Sequence, residues 1–217
     1  YVNNLINYNR ILNQKRELFK SLEEEKNAPE LKDTLDIWDL QLSNFGCEII
    51  KTRRKFLEQA GKIVFEIHYE LTGGKEKLRV EYEPSCSEDS LYEELLKRRE
   101  RDIFLKQTGV GPHRDDFSFY IDDENLKTFG SNGQQRTAAL SLKMAEIKMI
   151  EEKKKEKPLM LLDDVLSELD RSRQKKLLQS LGNTQTIITC TGIDEFIEEE
   201  LKDVRRFYIK QAKVIEE

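Results

Sequence analysis

A long helical repeat is the feature that most restricts what this chain can fold into. From residue 31 to residue 56, large apolar side chains and one threonine recur in alternating steps of four and three residues: Leu31, Leu35, Trp38, Leu42, Phe45, Ile49, Thr52 and Phe56. Ile63 and Ile67 continue the pattern. An apolar period of seven residues sustained over this distance is typical of a coiled-coil or bundle helix. The sequence therefore predicts one long helix from Pro29 to the Gly73-Gly74 pair, with a buried stripe along its length.

Two shorter helices are predicted on either side of the long one. Residues 1–26 carry apolar side chains at helical spacing, with Lys15 in the one polar position of their stripe. A strand is predicted from Leu78 to Tyr82, and a third helix from Glu88 to Lys106 with Ser87 as its N-cap. We therefore expect residues 1–106 to form a helical arm of antiparallel helices with a short strand inserted.

The second half of the chain has the pattern of an α/β domain. A helix is predicted from Gly133, and the apolar run from Leu159 to Leu162 predicts a buried strand of a parallel sheet. A helix from Arg171 to Leu181, which Asp170 can cap, and a second buried strand from Gln185 to Cys190 follow. A short helix at 194–201 and a last strand at 205–209 complete the chain. We expect residues 107–217 to form this domain.

Two carboxylates, Asp163 and Asp164, follow the first of these buried strands directly. Ligand sites in parallel sheets lie at the carboxyl ends of strands. One carboxylate at this place can hold Mg²⁺, and its neighbour can orient or deprotonate an attacking water. The alternative is an ordinary cap at a strand-to-helix turn.

A polar loop from Gly130 to Arg136 opens the helix that precedes the carboxylates. Ser131 occupies the N-cap position, so the loop presents a hydroxyl group and free backbone N–H groups at the positive end of a helix. Such an end binds anions. On the loop alone, a purely structural cap is the more common explanation.

The order of these motifs resembles the second half of an ABC-type ATPase head. In that family, a Ser-Gly-Gly-Gln signature of one subunit contacts the γ-phosphate of the nucleotide that the other subunit binds. The residues that match the signature here are Ser131, Asn132, Gly133 and Gln134.

The same resemblance implies roles for the acidic residues. Asp163 matches the Walker B aspartate, which binds Mg²⁺, and Asp164 takes the position of the catalytic glutamate. Residues 167–170, which include Ser167 and Asp170, match the D-loop that crosses the dimer interface.

The amino-acid sequences of the motifs resemble the RecF family of bacterial recombination mediators even more closely. The stretches that resemble this family are 35–39, 71–76, 107–116, 131–137 and 161–170, so the resemblance covers essentially the whole chain. It implies an incomplete, SMC-like ABC-type ATPase head with a short helical arm.

The family also implies a function. RecF proteins bind ATP with Mg²⁺, dimerise when ATP is bound, and act on DNA at single-strand gaps. They work with RecR and RecO in the loading of RecA during DNA repair, in the bacterial cytoplasm.

This sequence departs from the ATPase pattern in three places. No Gly-rich phosphate loop with its lysine occurs, so we expect a C-terminal fragment without the Walker A half that hydrolyses no ATP by itself. Thr189, Cys190, Thr191 and Gly192 occupy the region of the switch histidine of transporter-type heads. Asn132 replaces a glycine of the signature, which is a mild change because asparagine tolerates unusual backbone angles.

Net charge and the number of possible metal ligands bear on two alternative functions. The net charge is -5, so DNA binding requires local basic patches; the residues predicted for this role are Arg98, Arg99, Arg101 and Arg114. A non-enzymatic module, in which arm and platform dock DNA or a partner protein, therefore stays open. A metal-dependent nuclease that uses Asp163 and Asp164 is less favoured, because no further cluster of ligand residues is visible.

Cysteine usage and hydropathy indicate the compartment. The three cysteines are isolated in the sequence, which favours reduced thiols in a cytosol over a disulfide framework. No apolar run is long enough to cross a membrane, so we expect a cytoplasmic protein without a membrane partner.

Overall fold

A computed structural model describes residues 1–24, 29–182, 184–191, 204–211 and 213–216. These residues pack as two compact units. The first unit comprises Tyr1–Lys62 and Arg79–Tyr120, and the second comprises Ile63–Leu78 and Ile121–Glu217. These two units differ from the predicted arm (1–106) and head (107–217). The boundary between arm and head stays a prediction.

The first unit is mainly helical. Its helices are α1 (Val2–Glu24), the first part of α2 (Pro29–Leu71) and α3 (Leu91–Leu105), and its strands are β1 (Leu78–Glu83) and β2 (Asp116–Ile121), which are hydrogen-bonded neighbours. The core is formed by buried side chains from all three helices and the loop after α3: Tyr8, Ile11, Leu42, Ile49, Ile50, Leu91, Leu95 and Val110. The long helix, its glycine stop and strand β1 are as the sequence predicted.

The start of α3 was predicted wrongly. The helix begins at Leu91 and not at Glu88, with Ser90 as its N-cap. The backbone N–H of Ser90 donates to the carbonyl and hydroxyl oxygens of Ser87, so Ser87 closes a turn before the helix. Serine favours such turns as strongly as helix caps, because its hydroxyl bonds nearby backbone groups in both.

The buried stripe of α2 ends earlier than its sequence period suggests. Leu35, Leu42 and Ile49 are fully buried, whereas Thr52 is exposed and Phe56 is 42% exposed. A straight helix drifts about 20° per heptad against a strict seven-residue repeat, so the buried face moves round the helix. Ile50 and Ala60 are buried in the first unit instead.

Gly46 lies where α2 meets the start of α3. A Cβ atom at this position would come within 2.5 Å of Leu91 Cδ2. The helix continues through the glycine without interruption. Gly46 therefore allows close packing of α2 against Leu91.

The loop after α3 is held by buried polar groups. The Asp102 carboxylate accepts hydrogen bonds from the backbone N–H of Gly109, and burial raises the pKa of this carboxyl group. His113 Nε2 donates to the Thr108 carbonyl oxygen, while Nδ1 lies 2.8 Å from the Tyr8 hydroxyl oxygen. The stretch that resembles RecF at 107–116 is thus anchored to α1 and α3 within the first unit.

The second unit contains the predicted α/β elements. Its helices are the end of α2, α4 (Leu126–Phe129), α5 (Asn132–Lys154) and α6 (Arg171–Leu181). Its strands are β3 (Glu124–Asn125), β4 (Met160–Asp163), β5 (Thr186–Thr189), β6 (Phe207–Lys210) and β7 (Lys213–Glu216). The core combines α2, α5, β4 and α6 through Leu71, Leu140, Met144, Met160, Leu162, Leu166, Leu169 and Leu177. The short helix α4 and strands β3 and β7 were not predicted.

Strands β4 and β5 pair in parallel, in the register Met160 with Thr186 through Asp163 with Thr189. This confirms the parallel pair, but the prediction that both strands are buried was wrong for one face of the pair. Met160 and Leu162 face the core, whereas Leu161 is 68% and Ile187 52% exposed. One face of this pair therefore packs on helices of the unit and the other is open.

The end of the chain is described only in part. Strand β6 begins two residues later than predicted and pairs antiparallel with β7. The predicted helix at 194–201 lies outside the described residues, as does Gly192. No helix in the described ranges has the length and apolar character that a membrane span requires.

Candidate nucleotide site

The carboxyl end of β4 places Asp163 beside β5. Its Oδ1 accepts a hydrogen bond from the Thr189 hydroxyl group at 2.5 Å, and Asp163 is exposed. Thr189 was noted in the sequence only as an occupant of the switch-histidine region. Its role as a partner of Asp163 becomes visible only in the parallel register, which places the two residues opposite each other.

Asp164 adopts a left-handed backbone conformation with φ of 52°. Its backbone N–H donates to both the carbonyl and the hydroxyl oxygen of Thr189, each at 3.1 Å. Aspartate tolerates this region better than most residues, and such outliers cluster at functional sites. The end of this strand therefore carries two successive, exposed carboxylates.

The loop before α5 forms a complete capping box. The Ser131 hydroxyl oxygen accepts from the Gln134 backbone N–H at 3.2 Å, and Gln134 Oε1 accepts from the Ser131 backbone N–H at 2.9 Å. Ser131 and Asn132 are exposed. Ser131 is therefore confirmed as an N-cap, while Gly133 and Gln134 are partly buried at the same helix end.

The segment after β4 is tied back on itself. The Ser167 hydroxyl group donates to the Asp164 carbonyl oxygen at 2.8 Å, in a 3₁₀ turn formed by Leu166–Glu168. Asp170 caps α6 as predicted, since its Oδ1 accepts from the Arg173 backbone N–H at 3.1 Å. The buried Gln174 side chain donates to the Leu166 carbonyl oxygen and fixes the turn from beneath.

A carboxylate that sequence reasoning missed connects these segments. Glu76 Oε1 lies 3.4 Å from Gln134 Nε2 and 3.3 Å from an Arg173 guanidinium nitrogen, and Oε2 lies 3.0 Å from His68 Nε2. Arg173 also contacts Asp170 Oδ2 at 3.0 Å. Glu76 follows the glycine stop of α2, so its position is set by a turn that the sequence does show.

The basic residues predicted to bind DNA differ in their surroundings. Arg99 donates to Asp39 and pairs with Asp36, and its side chain is only 21% exposed. Arg114 donates to the Thr108 carbonyl oxygen and the Gln107 side chain. Arg98 pairs with Glu94, and Arg101 is exposed on α3. DNA binding by these four residues stays a prediction.

The described part of the chain holds no group of three or more His, Cys, Asp or Glu side chains placed to bind a metal ion. The carboxylates at the end of β4 are hard oxygen donors, which suit Mg²⁺ with water and phosphate oxygens completing its shell. The residues present thus fit a magnesium ion shared with a nucleotide better than a site made by protein ligands alone.

The fold and these motifs define part of an ABC-type ATPase head joined to long helices. The chain is 48% identical over 214 residues to the DNA replication and repair protein RecF of Lachnoclostridium phytofermentans, which covers 99% of this chain and 59% of that protein. The protein of the same name from Agathobacter rectalis is 47% identical and covers 99% of this chain and 58% of its own length. This chain belongs to the RecF family, and it spans about three fifths of the length of these relatives.

Solved structures agree with this assignment. The recombination mediator protein RecF-ATP in the RecFOR pathway superposes with a TM-score of 0.84 at 34% identity, which covers 100% of this chain and 58% of that one. The corresponding RecF-ATPrS structure gives a TM-score of 0.81 over the same shares. No family model matches the chain.

Proposed function

We propose that this chain supplies the signature segment, the Walker B carboxylates and the D-loop of a RecF-type DNA repair ATPase. The observation that carries the proposal is the pair Asp163 and Asp164 at the carboxyl end of a parallel strand, with Thr189 bound to both. The identity to proteins named for DNA replication and repair supports the biological setting. We use the term full-length protein for this chain together with the additional segment that its longer relatives have.

The two carboxylates have separate tasks in this proposal. Asp163 would hold Mg²⁺, and Thr189 fixes the orientation of its carboxylate. A bound magnesium ion would neutralise the phosphate charge of ATP. Asp164, the next residue along the chain, would orient the attacking water and accept its proton.

The signature segment serves a different nucleotide. Ser131, Asn132, Gly133 and Gln134 lie at the exposed N-terminus of α5, where the hydroxyl group and the helix dipole favour a phosphate. In a homodimer formed on ATP binding, they contact the ATP of the other subunit, and Ser167 and Asp170 lie at the shared interface. Neither site is complete within this chain, so we expect no ATP hydrolysis by the chain alone.

The setting of the whole protein follows from the family. We propose that the dimer binds DNA at single-strand gaps in the bacterial cytoplasm and assists RecA loading together with RecR and RecO. The solved RecF with ATP in the RecFOR pathway supports this setting.

Asp163→Asn in the full-length protein tests the assignment. The substitution keeps the size of the side chain and its hydrogen bond from Thr189, so the melting temperature should change little while Mg²⁺-dependent ATP turnover is lost. Asp33→Asn, at an exposed position of α2, is the matched control and should retain turnover. Unchanged turnover in Asp163→Asn would exclude the Walker B role.

A second candidate is a binding module without enzymatic activity, and the exposed Arg101 and Arg114 of the first unit favour it. A gel shift with gapped and single-stranded DNA separates the candidates. DNA binding by the full-length protein that is independent of ATP favours the module, and binding that requires ATP favours the switch.

A further inference from the structure

Glu76 lies in the turn between α2 and β1 and has no part in the chemistry proposed above. We propose that Glu76 is a positioning residue that holds the signature segment and the D-loop in one fixed arrangement and joins both to the end of α2. The inference rests on the proposed function, because it concerns how the segments that meet the second nucleotide are presented together.

The contacts of Glu76 reach three separate elements. Oε1 accepts from Gln134 on α5 and from Arg173 on α6, and Oε2 accepts from His68 on α2. The side chain is only 17% exposed, and that of Arg173 only 21%. Hydrogen bonds to an ionised group that is shielded from water are stronger than neutral ones.

The contact with Gln134 fixes the signature cap. The Gln134 amide has one oxygen, which accepts from the Ser131 N–H, and one NH₂ group, which points to Glu76. A carboxylate only accepts, so Glu76 prevents the amide from turning over and presenting its NH₂ group to Ser131. The conformation of Ser131 thus depends on the charge of Glu76.

The contact with Arg173 fixes the D-loop. One guanidinium nitrogen bonds Glu76 and the other bonds Asp170, whose carboxylate also caps α6. The guanidinium fork is planar and rigid, so anchoring one branch sets the direction of the other. A second ion pair, between Arg136 on α5 and Glu168, also connects the two segments. Its side chains are 51% and 46% exposed, and ion pairs as exposed as this contribute little to stability.

The contact with His68 connects the cluster to the long helix. His68 is fully buried, and its Nδ1 lies 3.1 Å from the Ser141 hydroxyl oxygen on α5. Burial lowers the pKa of His68, although Glu76 opposes the shift. The ring donates from Nε2, because the carboxylate of Glu76 has no hydrogen to give. A displacement of the end of α2 therefore reaches both motifs through one side chain.

The test is Glu76→Gln in the full-length protein, with Glu66→Gln, on the helix α2 that precedes Glu76, as the matched control. Glu66 is 62% exposed and pairs with Lys148, away from the motifs. Two quantities are measured: the affinity of the dilute monomer for a non-hydrolysable ATP analogue, and the dissociation constant of the dimer with that analogue bound. We expect Glu76→Gln to weaken the dimer about tenfold, as for loss of a charged hydrogen bond, with monomer affinity unchanged.

Arg173→Lys gives a second route to the same result, because a lysine cannot bond Glu76 and Asp170 with a rigid fork. It carries the test if Glu76→Gln fails to fold. Equal losses in monomer affinity and dimerisation, or behaviour of both variants like Glu66→Gln, would overturn the proposal.

Ser131→Ala separates the inference from the function beneath it. If Ser131→Ala leaves dimerisation unchanged, the proposed role of the signature segment is wrong. If Ser131→Ala weakens the dimer while Glu76→Gln and Arg173→Lys do not, the proposed function stands and the positioning role of Glu76 is refuted.

Discussion

The Thr189 hydroxyl group donates a hydrogen bond to Asp163 across two paired parallel strands, with 2.5 Å between Oγ1 and Oδ1. The same hydroxyl oxygen accepts from the Asp164 backbone N–H. One side chain therefore sets the orientation of the first carboxylate and the backbone of the second.

Removing this hydroxyl group should impair catalysis more than folding. Thr189→Val preserves the shape of the side chain, and we expect ATP turnover of the full-length protein to fall about tenfold, the value of one hydrogen bond to a charged group. Thr189→Ser retains the hydroxyl group and should keep most of the turnover. Equal turnover in the valine and serine variants would show that Thr189 does not position Asp163.

A buried ion pair in the first unit should dominate its stability. Lys15 Nζ lies 2.5 Å from Asp39 Oδ1, and both side chains are fully buried. Lys15→Met leaves Asp39 with Arg99 alone, so we expect the free energy of unfolding to fall by about 3–5 kcal/mol in urea titrations.

The exposed pair Lys20 and Glu17 on the same helix is the control, with side chains 51% and 69% exposed. Lys20→Met should cost less than about 1 kcal/mol. Similar costs for the two substitutions would contradict the importance of burial.

The stability of the first unit should decrease in acid because of His113. Burial lowers the pKa of His113 from its ordinary value of 6.5, so the folded state holds the ring neutral while the unfolded state protonates first. The contribution is present above pH 6.5 and is lost as pH falls through the lower, folded pKa.

His113→Gln should therefore show a smaller loss of unfolding free energy between neutral and mildly acidic pH than the parent, as measured by urea titration at a series of pH values. His68 shifts in the same direction, so part of the acid sensitivity remains in the variant. An unchanged pH dependence would exclude His113 as a source.

The basic residues should separate in DNA binding. Arg101→Ala and Arg114→Ala should each lower affinity for gapped DNA and reduce the slope of log affinity against log salt by about one. Arg99→Ala should instead lower stability, because its guanidinium group pairs with two aspartates. Fluorescence anisotropy at several salt concentrations measures the first effect, and a salt slope unchanged by both substitutions would argue against this surface.

Local sequence signals predicted much of the fold. The heptad spacing predicted α2, Ser131 and Asp170 predicted two helix starts, and the apolar run with its carboxylates predicted β4 and the turn after it. Periodicity and capping are local signals, because the residues that produce them lie in or next to the element that they predict.

Contacts distant in sequence were not predictable in this way. Thr189 and Asp163 are 26 residues apart, and Glu76 and Arg173 are 97 apart, so only the packed fold reveals that they meet. The exposure of Leu161 was missed for a related reason. An apolar run predicts a buried strand, but burial also depends on which other helices and strands pack against it, and the run contains no information about them.

The central claim is that Asp163 and Ser131 of one chain serve two different nucleotides, and a mixing experiment tests it most directly. Full-length Asp163→Asn and Ser131→Arg proteins are each prepared, and each is expected to be inactive alone. In a mixed dimer, one site receives a native Asp163 from one subunit and a native Ser131 from the other.

ATP turnover is then measured for each variant and for their equimolar mixture. If pairing is random in a two-fold dimer, half of the dimers are mixed and each has one intact site, so the mixture should recover about one quarter of the parent turnover. Turnover in the mixture no higher than in the separate variants, with dimers formed, would contradict the claim that the two motifs act across the interface.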